Sequence, residues 1–188
     1  DRERRGLVLG EGAAVVVVED AGHAARRGAP VVGRFLGHGA AADAVHMTAP
    51  DREGRGAARA ILAALADAGL PPAGVDLVSA HGTGTPYNDA MEAAALGRVF
   101  EARRVPVSGI KGAIGHTLGA AGAFEVVLCL QAMATGVVPP TVGLASIDPG
   151  CAGLDLVQGA ARAHRVDVAL STSSGFAGSN AAVVLGRA

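Results

Sequence analysis

Apolar residues recur at helical spacing in Glu53–Ala68, where Ala57, Ile61, Leu62, Leu65 and Ala68 fall on one stripe and Gly69-Leu-Pro-Pro closes the element. Elsewhere the pattern is one of short, continuous apolar runs bounded by glycine or polar residues. Ala13–Val18, two alanines and four valines, suits a strand buried on both faces. Val31–Leu36, Val75–Ala80, Val105–Ser108, Leu154–Val157, Val166–Thr172 and Ala181–Leu185 read as further strands. Glu19–Arg27 predicts a short helix stopped by Gly28, and Tyr87–Phe100 a longer one with Asp89 and Glu92 favourable in its first turn. From Thr117, read as an N-cap, an Ala/Leu/Val-rich helix continues to about Thr135. Gly37–Pro50 and Val137–Gly150 read as loops. Strands and helices alternate through most of the chain, which predicts an α/β mixed sheet with helices on both faces.

Composition narrows the class. The 188 residues fit one domain or half of a larger one. Half are apolar, only 3% are aromatic and 28 are glycine, so the core is built from small aliphatics joined by tight turns. Sixteen basic against 17 acidic residues give a net charge of −1, which supports neither nucleic-acid nor membrane-surface binding. The apolar run Ala120–Val138 is broken by Glu125, Gln131 and Gly136, so no membrane span is expected. No signal or transit peptide pattern is visible. Cys129 and Cys151 make no disulfide framework, and a cytoplasmic setting follows as the expectation. A start at Asp1, without methionine and already leading into a strand, reads as a piece of something longer.

Candidate chemistry gathers in three turns. Val105–Ser108 delivers Lys111 and His116 into a Gly-interrupted turn ahead of the Thr117 helix, which opens Gly119-Ala-Ala-Gly122-Ala123. Glycine inside a helix costs about 1 kcal/mol against alanine, so this crowding predicts something packed close to the first turn. A histidine ahead of a helix N-terminus feels the positive end of the macrodipole, which lowers its pKa and keeps it neutral. A neutral imidazole can donate its N–H to a developing oxyanion. The plainer reading is a buried helix with one incidental histidine. Val75–Ala80 runs into His81-Gly-Thr-Gly-Thr85-Pro86, and the carboxyl end of a strand is where open α/β sheets place their sites. Thr83 and Thr85 offer hydroxyls to an amide-bearing arm; neither GxGxxG nor GxxxxGK[ST] is present to make this a phosphate loop. The third turn, Ser173–Asn180, holds Phe176.

Metal binding finds no support, because no two histidines stand at i,i+4 and no Cys/His cluster occurs. Cys129 lies mid-helix among Val126, Val127, Leu128 and Leu130 and reads as core. Cys151 follows Asp-Pro-Gly in a turn with no helix start to activate it. Two histidines without a nucleophile suit enolate or oxyanion stabilisation, with the nucleophile supplied from elsewhere.

GLVLGEGAAVVVVED (Gly6–Asp20), DAVHMTAP (Asp43–Pro50), HGTGTPYND (His81–Asp89), KGAIGHTLGAAGAFE (Lys111–Glu125) and SGFAGSNA (Ser174–Ala181) together resemble, in order and approximate spacing, five signatures of the β-ketoacyl-[acyl-carrier-protein] synthases. These are the thiolase-fold condensing enzymes of fatty-acid and type II polyketide synthesis. The resemblance covers nearly the whole chain. It implies a decarboxylative Claisen condensation by a Cys-His-His set: an acyl group passes from carrier protein to a cysteine, malonyl-carrier-protein loses CO₂, and its enolate attacks the acyl thioester. His81 and His116 would donate to the thioester oxygen. Lys111, paired with Glu125, would order the two imidazoles. Thr83 and Thr85 would contact the phosphopantetheine arm of the carrier protein, and no cofactor of the chain's own is implied. The N–H of Phe176, beside Gly175, would form half of the oxyanion hole, with its ring as the gate to the acyl pocket. The loop from Asp43 to Thr48 would be a second gate, His46 lying near the pocket without a catalytic role.

The resemblance also implies what this chain does not carry. The nucleophilic cysteine belongs to the family's preceding half, so residues 1–27 would end that half and residues 28–188 would be the C-terminal half. An obligate partner bearing the cysteine is expected, with a homodimer or a heterodimer with a chain-length factor. Rival readings are a non-catalytic chain-length-factor-like subunit and a malonyl-thioester decarboxylase of the same fold. Against the family pattern, Gly112 stands where serine is usual, and Ser174, Ala177 and Ser179 replace Phe, Gly and Thr in the last loop. An alanine at Ala177 is unfavourable if φ is positive there, and Ser174 implies a wider pocket mouth.

Overall fold

The computed structural model describes residues 1–101 and 104–188. In chain order its elements are α1 (Ala21–Arg26), β1 (Arg34–Ala42), α2 (Arg55–Asp67), β2 (Leu77–Ser79), α3 (Pro86–Phe100), β3 (Pro106–Ser108), α4 (Lys111–Ile114), α5 (Ala121–Thr135), β4 (Val137–Val138), β5 (Asp155–Leu156), β6 (Arg162–Ala163), β7 (Val168–Gly175) and β8 (Ser179–Gly186). Six strands form one mixed sheet in the order β1-β8-β7-β2-β3-β5. β1, β8 and β7 pair antiparallel, whereas β7, β2, β3 and β5 run parallel. β4 and β6 make a separate two-residue ribbon.

Because successive side chains leave a strand on opposite sides, each central strand feeds two cores. Val78, Leu170 and Val184 face the layer of α2 and α3, among Ile61, Leu65, Met91 and Leu96. Their neighbours Leu77, Ala169 and Leu185 face α5, among Cys129, Ala132 and Met133. Burying a leucine or isoleucine of this kind contributes roughly 2 kcal/mol, so the two cores lock the sheet that presents the site loops. On the first face α2 rides directly on β1: a Cβ at Gly39 would stand 2.2 Å from Ala60 O, and one at Gly37 would stand 2.5 Å from Ala68 N. Glycine in the strand and alanine on the helix are the close-approach solution here.

Several expectations change. Ala13–Val18 is not a strand; Val15, Val17 and Val18 are exposed, and no described strand lies beside them to take their hydrogen bonds. The strand expected at Val31–Leu36 starts at Arg34 and continues to Ala42, since pairing with β8 carries it through the glycines that mimic a loop. Leu62, placed on the buried stripe, is exposed; the inward face of α2 is Ala57, Ala60, Ile61, Ala64 and Leu65. Leu118–Thr135 is long and apolar enough to cross a membrane by length and composition alone. Its central Glu125, fully buried and paired with Lys111, and its seat against β2 and β7 are those of a helix covering a sheet.

Candidate active site

The parallel strands β2 and β3 end side by side, Ser79 opposite Ser108, and each releases a turn at its carboxyl end. The β2 turn carries His81, and the β3 turn carries Lys111 on α4 and His116 just beyond it. Topology therefore brings together residues 35 positions apart: the His81 and His116 rings lie 5.3 Å apart, centroid to centroid, crossed at 83°.

Lys111 joins them to α5. Its side chain is almost wholly buried, and Nζ reaches three acceptors: His81 Nδ1 at 3.2 Å, the His81 carbonyl and Glu125 Oε1. An ammonium has three donors and no acceptor, so His81 Nδ1 must be the unprotonated nitrogen and Nε2 carries the hydrogen. His116 reaches the same state by another route, because Leu118 N–H donates to His116 Nδ1 at 3.2 Å. Both rings thus hold an Nε2–H free to donate, the tautomer being fixed by the bond at the other nitrogen. Protonation is suppressed as well. Burial, then the charges of Lys111 and His116, lower His81 to about 3. Burial, then Lys111, lower His116. Burial pushes Glu125 up to about 7 against the pull of Lys111.

The route to His116 differs from the one expected. Thr117 makes no cap hydrogen bond, and its buried hydroxyl has no partner among the described residues. A single 3₁₀ turn, Leu118–Ala120, precedes α5, and Leu118 sits at φ 52°, a left-handed backbone for a bulky residue. The Thr117–Leu118 peptide points its N–H back at His116, while the helix start is displaced to Ala121. Burial and Lys111 lower His116, and the N–H that holds its Nδ1 comes from the 3₁₀ turn rather than from α5 itself. The close approach read from Gly119 and Gly122 is also absent: a Cβ at Gly119 meets nothing within 4 Å, and at Gly122 only Ser173 Oγ at 3.5 Å. Gly112, by contrast, is required, since a Cβ there would stand 1.9 Å from Val142 O.

Glu92 is the site residue that sequence reasoning missed, being read only as a helpful first-turn acid. It is buried, accepts from His81 N at 2.7 Å and Gly82 N at 2.9 Å, and takes the Thr172 hydroxyl at 2.7 Å. Burial raises its pKa. A glutamate falling on the inner face of α3, eleven residues after a strand-end histidine, was the available signal. Thr83 and Thr85 bond each other through their hydroxyls at 2.9 Å, and Thr83 lines a cleft of about 820 Å³ together with Lys111 and His116.

The residues expected at the two gates form a second cluster. Asp43 accepts from Asn180 Nδ2 at 2.8 Å and from Asp51 N at 2.9 Å, while its own N–H donates to Gly178 O. Ala177 N donates to Met47 O, so the 43–51 loop is docked on the β7–β8 hairpin. Thr48 is exposed and, among the described residues, bonds within its own loop, to His46 Nδ1. Gly175 is extended at φ −138°, the Phe176 ring is 78% exposed, and Ser174 Oγ donates to Asn180 Oδ1 at 2.9 Å. Ala177 does adopt a positive φ, 63°. The clusters meet on β7, where Ser173 Oγ donates to Glu125 Oε2 at 3.3 Å and Thr172 reaches Glu92. Cys129 is fully buried, and burial raises its thiol to about 12.

The mixed sheet with helices on both faces is that of the thiolase-like fold of the ketosynthases, and the two imidazoles stand at the ends of its adjacent parallel strands. Residues 32–145 match the family described as "Beta-ketoacyl synthase, C-terminal domain", and this chain belongs to that family. It is 44% identical over 189 residues to the 3-oxoacyl-[acyl-carrier-protein] synthase 2 of Coxiella burnetii, covering 100% of this chain and 45% of the relative. Among solved structures it superposes on the ishigamide ketosynthase/chain length factor with a TM-score of 0.96 and 40% identity, covering 100% of this chain and 46% of that one. A type II PKS acyl-carrier protein in complex with its ketosynthase bound to the hexaketide gives a TM-score of 0.87 at 34% identity, over 90% of this chain and 42% of that one. The chain thus spans a little under half the length of these relatives and matches them as a C-terminal half.

Proposed function

We propose that this chain is the histidine-bearing half of a β-ketoacyl-[acyl-carrier-protein] synthase, an acyltransferase active only with the half that supplies the nucleophilic cysteine. The observation that carries the reading is the pair of Nε2–H donors, on rings 5.3 Å apart and both held neutral. With malonyl-carrier-protein bound, His81 and His116 donate to the thioester carbonyl oxygen. Loss of CO₂ leaves the electron pair on the α-carbon as an enolate, whose charge these two N–H groups stabilise. The α-carbon then forms a C–C bond to the acyl carbonyl held on cysteine, and the C–S bond breaks to release the thiolate. The Phe176 N–H shares the oxyanion of that second step. Lys111 and Glu125 hold the His81 tautomer, and Thr83 and Thr85 receive the phosphopantetheine arm. Gly175 and Phe176 on one side, and Asp43 and Thr48 on the other, are the two gates of the acyl pocket.

The partner reading follows from the surface. Leu9, Val15, Val17, Val18 and Val32 stand exposed together with the gate residue Phe176. So many exposed valines and leucines in one short stretch support an interface, and in this reading residues 1–27 complete the sheet of the missing half. A homodimer, or a heterodimer with a chain-length factor, is the expected assembly. Alone on size exclusion the chain is expected not to run as a well-folded 18.4 kDa monomer.

The chain-length-factor alternative has one observation in its favour, the likeness to a ketosynthase/chain length factor complex. Against it stands the intact His81, His116, Lys111 and Glu125 set, which a purely structural subunit does not use. Co-expression with the cysteine-bearing half and assay with malonyl-carrier-protein and an acyl thioester decides. Condensation that His116→Ala abolishes supports the synthase; decarboxylation without condensation supports the decarboxylase; neither reaction overturns both.

A further inference from the structure

The first ten residues form no regular element, yet they carry hydrogen bonds that link the two histidine-bearing turns. Gly6 N donates to Gly84 O at 3.0 Å, His116 N donates to Val8 O at 2.7 Å, and Gly10 N donates to His116 O at 3.0 Å. One extended segment therefore holds the His81–Thr85 turn at one end and both backbone polar groups of His116 at the other. Arg4 anchors it. Its side chain is only 9% exposed, and its guanidinium serves four acceptors: Nε donates to Thr85 O at 3.2 Å, Nη2 to Pro86 O at 3.1 Å, and Nη1 to Asp148 Oδ2 at 2.6 Å and to Asp1 O at 2.8 Å. Asp89 Oδ2 lies 3.6 Å from Nε, and Asp89 Oδ1 accepts from Gly84 N at 3.1 Å. The guanidinium and Asp89 thus grip the far end of the turn whose near end Glu92 grips through His81 N and Gly82 N. A planar fork with five donors serves all four acceptors at once, from two successive carbonyls to a carboxylate; an ammonium, with three donors on one atom, cannot.

We propose that Arg4 is a positioning residue, and that Arg4–Gly10 is a splint setting the separation of His81 from His116 and the aim of Thr83 and Thr85. The splint lies in the segment assigned above to the end of the preceding half, so the join between the halves is itself part of the site. Arg4 touches no reacting atom; it acts through the peptide units of Thr85 and Pro86. The positioning stands on the geometry alone, whereas its catalytic consequence rests on the ketosynthase reading.

The test uses the complete synthase, this chain together with the cysteine-bearing half. Arg4→Gln removes the charge and most of the donors, and Arg4→Lys keeps the charge without the fork. The expected result is a KM for malonyl-carrier-protein raised about tenfold, with kcat falling less, because the misplaced threonines meet the carrier arm. Amide hydrogen exchange over residues 82–85 and at His116 is expected to speed by about tenfold as the anchored hydrogen bonds open more often. If Arg4→Gln does not fold, Arg4→Lys decides. A folded variant with KM and exchange unchanged overturns the proposal, and so does a lowered thermal midpoint with both unchanged. A wild-type synthase inert toward malonyl-carrier-protein would instead sink the ketosynthase reading, and exchange would still decide the splint.

Discussion

Replacing Lys111 with methionine keeps the volume of a buried stem while deleting the ammonium that touches Glu125 and both His81 acceptors. The electrostatic consequence can be worked from the structure. Glu125 is fully buried, and burial already lifts its carboxyl to about 7 from the ordinary 4.5, held down chiefly by Lys111 and less by the Ser173 hydroxyl. Without the ammonium it rises further. A native pKa raised above the unfolded one gives stability that is whole below the unfolded value and is lost as pH climbs toward the native one. In the wild type that loss ends near pH 7, where Glu125 ionises beside Lys111. In Lys111→Met it continues at about 1.4 kcal/mol per pH unit, so between pH 7 and 8.5 the variant loses about 2 kcal/mol more than the wild type. Thermal midpoints of the complete synthase from pH 5 to 9 read this directly, and Lys111→Met/Glu125→Gln should remove the extra slope. Curves for Lys111→Met and wild type that stay parallel above pH 7 refute the reasoning. A second readout is chemical: with Nδ1 no longer claimed, His81 can take the other tautomer, and malonyl decarboxylation should fall by about a hundredfold, as for a lost oxyanion donor.

Three further outcomes follow from the structure. With His81 titrating near 3 and His116 lowered, decarboxylation should show no acid limb near pH 6.5, and a limb there would mean that at least one ring is solvated. The same depressed value makes the His81 contribution to stability complete above pH 6.5 and lost as pH falls toward 3, by at most about 5 kcal/mol. Midpoints should therefore drop on acidification less steeply in His81→Ala than in the wild type. Ala177→Gly, at φ 63°, should relieve about 1 kcal/mol of left-handed strain, partly offset by a freer unfolded chain. The midpoint should move little while amide exchange across residues 173–180 quickens; exchange that slows would show that alanine is not what stiffens this hairpin.

The elements legible in the sequence were those with local signals. α2 and α3 lie within a residue or two of their expected ends because their stripes and stops are written in adjacent residues. His81, Lys111 and His116 could be picked out because each lies in or just beyond a turn at the end of an apolar run, where a buried structural role is least natural. What failed was whatever depends on a distant partner. The valines of Ala13–Val18 read as a strand, but a strand exists only against a neighbour, and none is described beside them. Glu92 looked like surface chemistry because only the sheet order reveals that its helix face turns toward Thr172, 80 residues on. Leu118 carries no mark of its φ of 52°, being neither glycine nor asparagine. The twist at Ala177, by contrast, could be anticipated as soon as its position was compared with a glycine-bearing pattern.

The crowding at Gly112 has a consequence for anyone redesigning this chain. Restoring the serine usual at that position would drive a methylene into the carbonyl of Val142, 1.9 Å away, on a strip of chain whose Thr141 hydroxyl also receives the N–H of Gly109. The loop would have to retreat, and with it the floor beneath the helical turn that carries Lys111. Averaging over related sequences, a common route to sturdier enzymes, would in this place trade a tolerated local difference for a shifted ammonium.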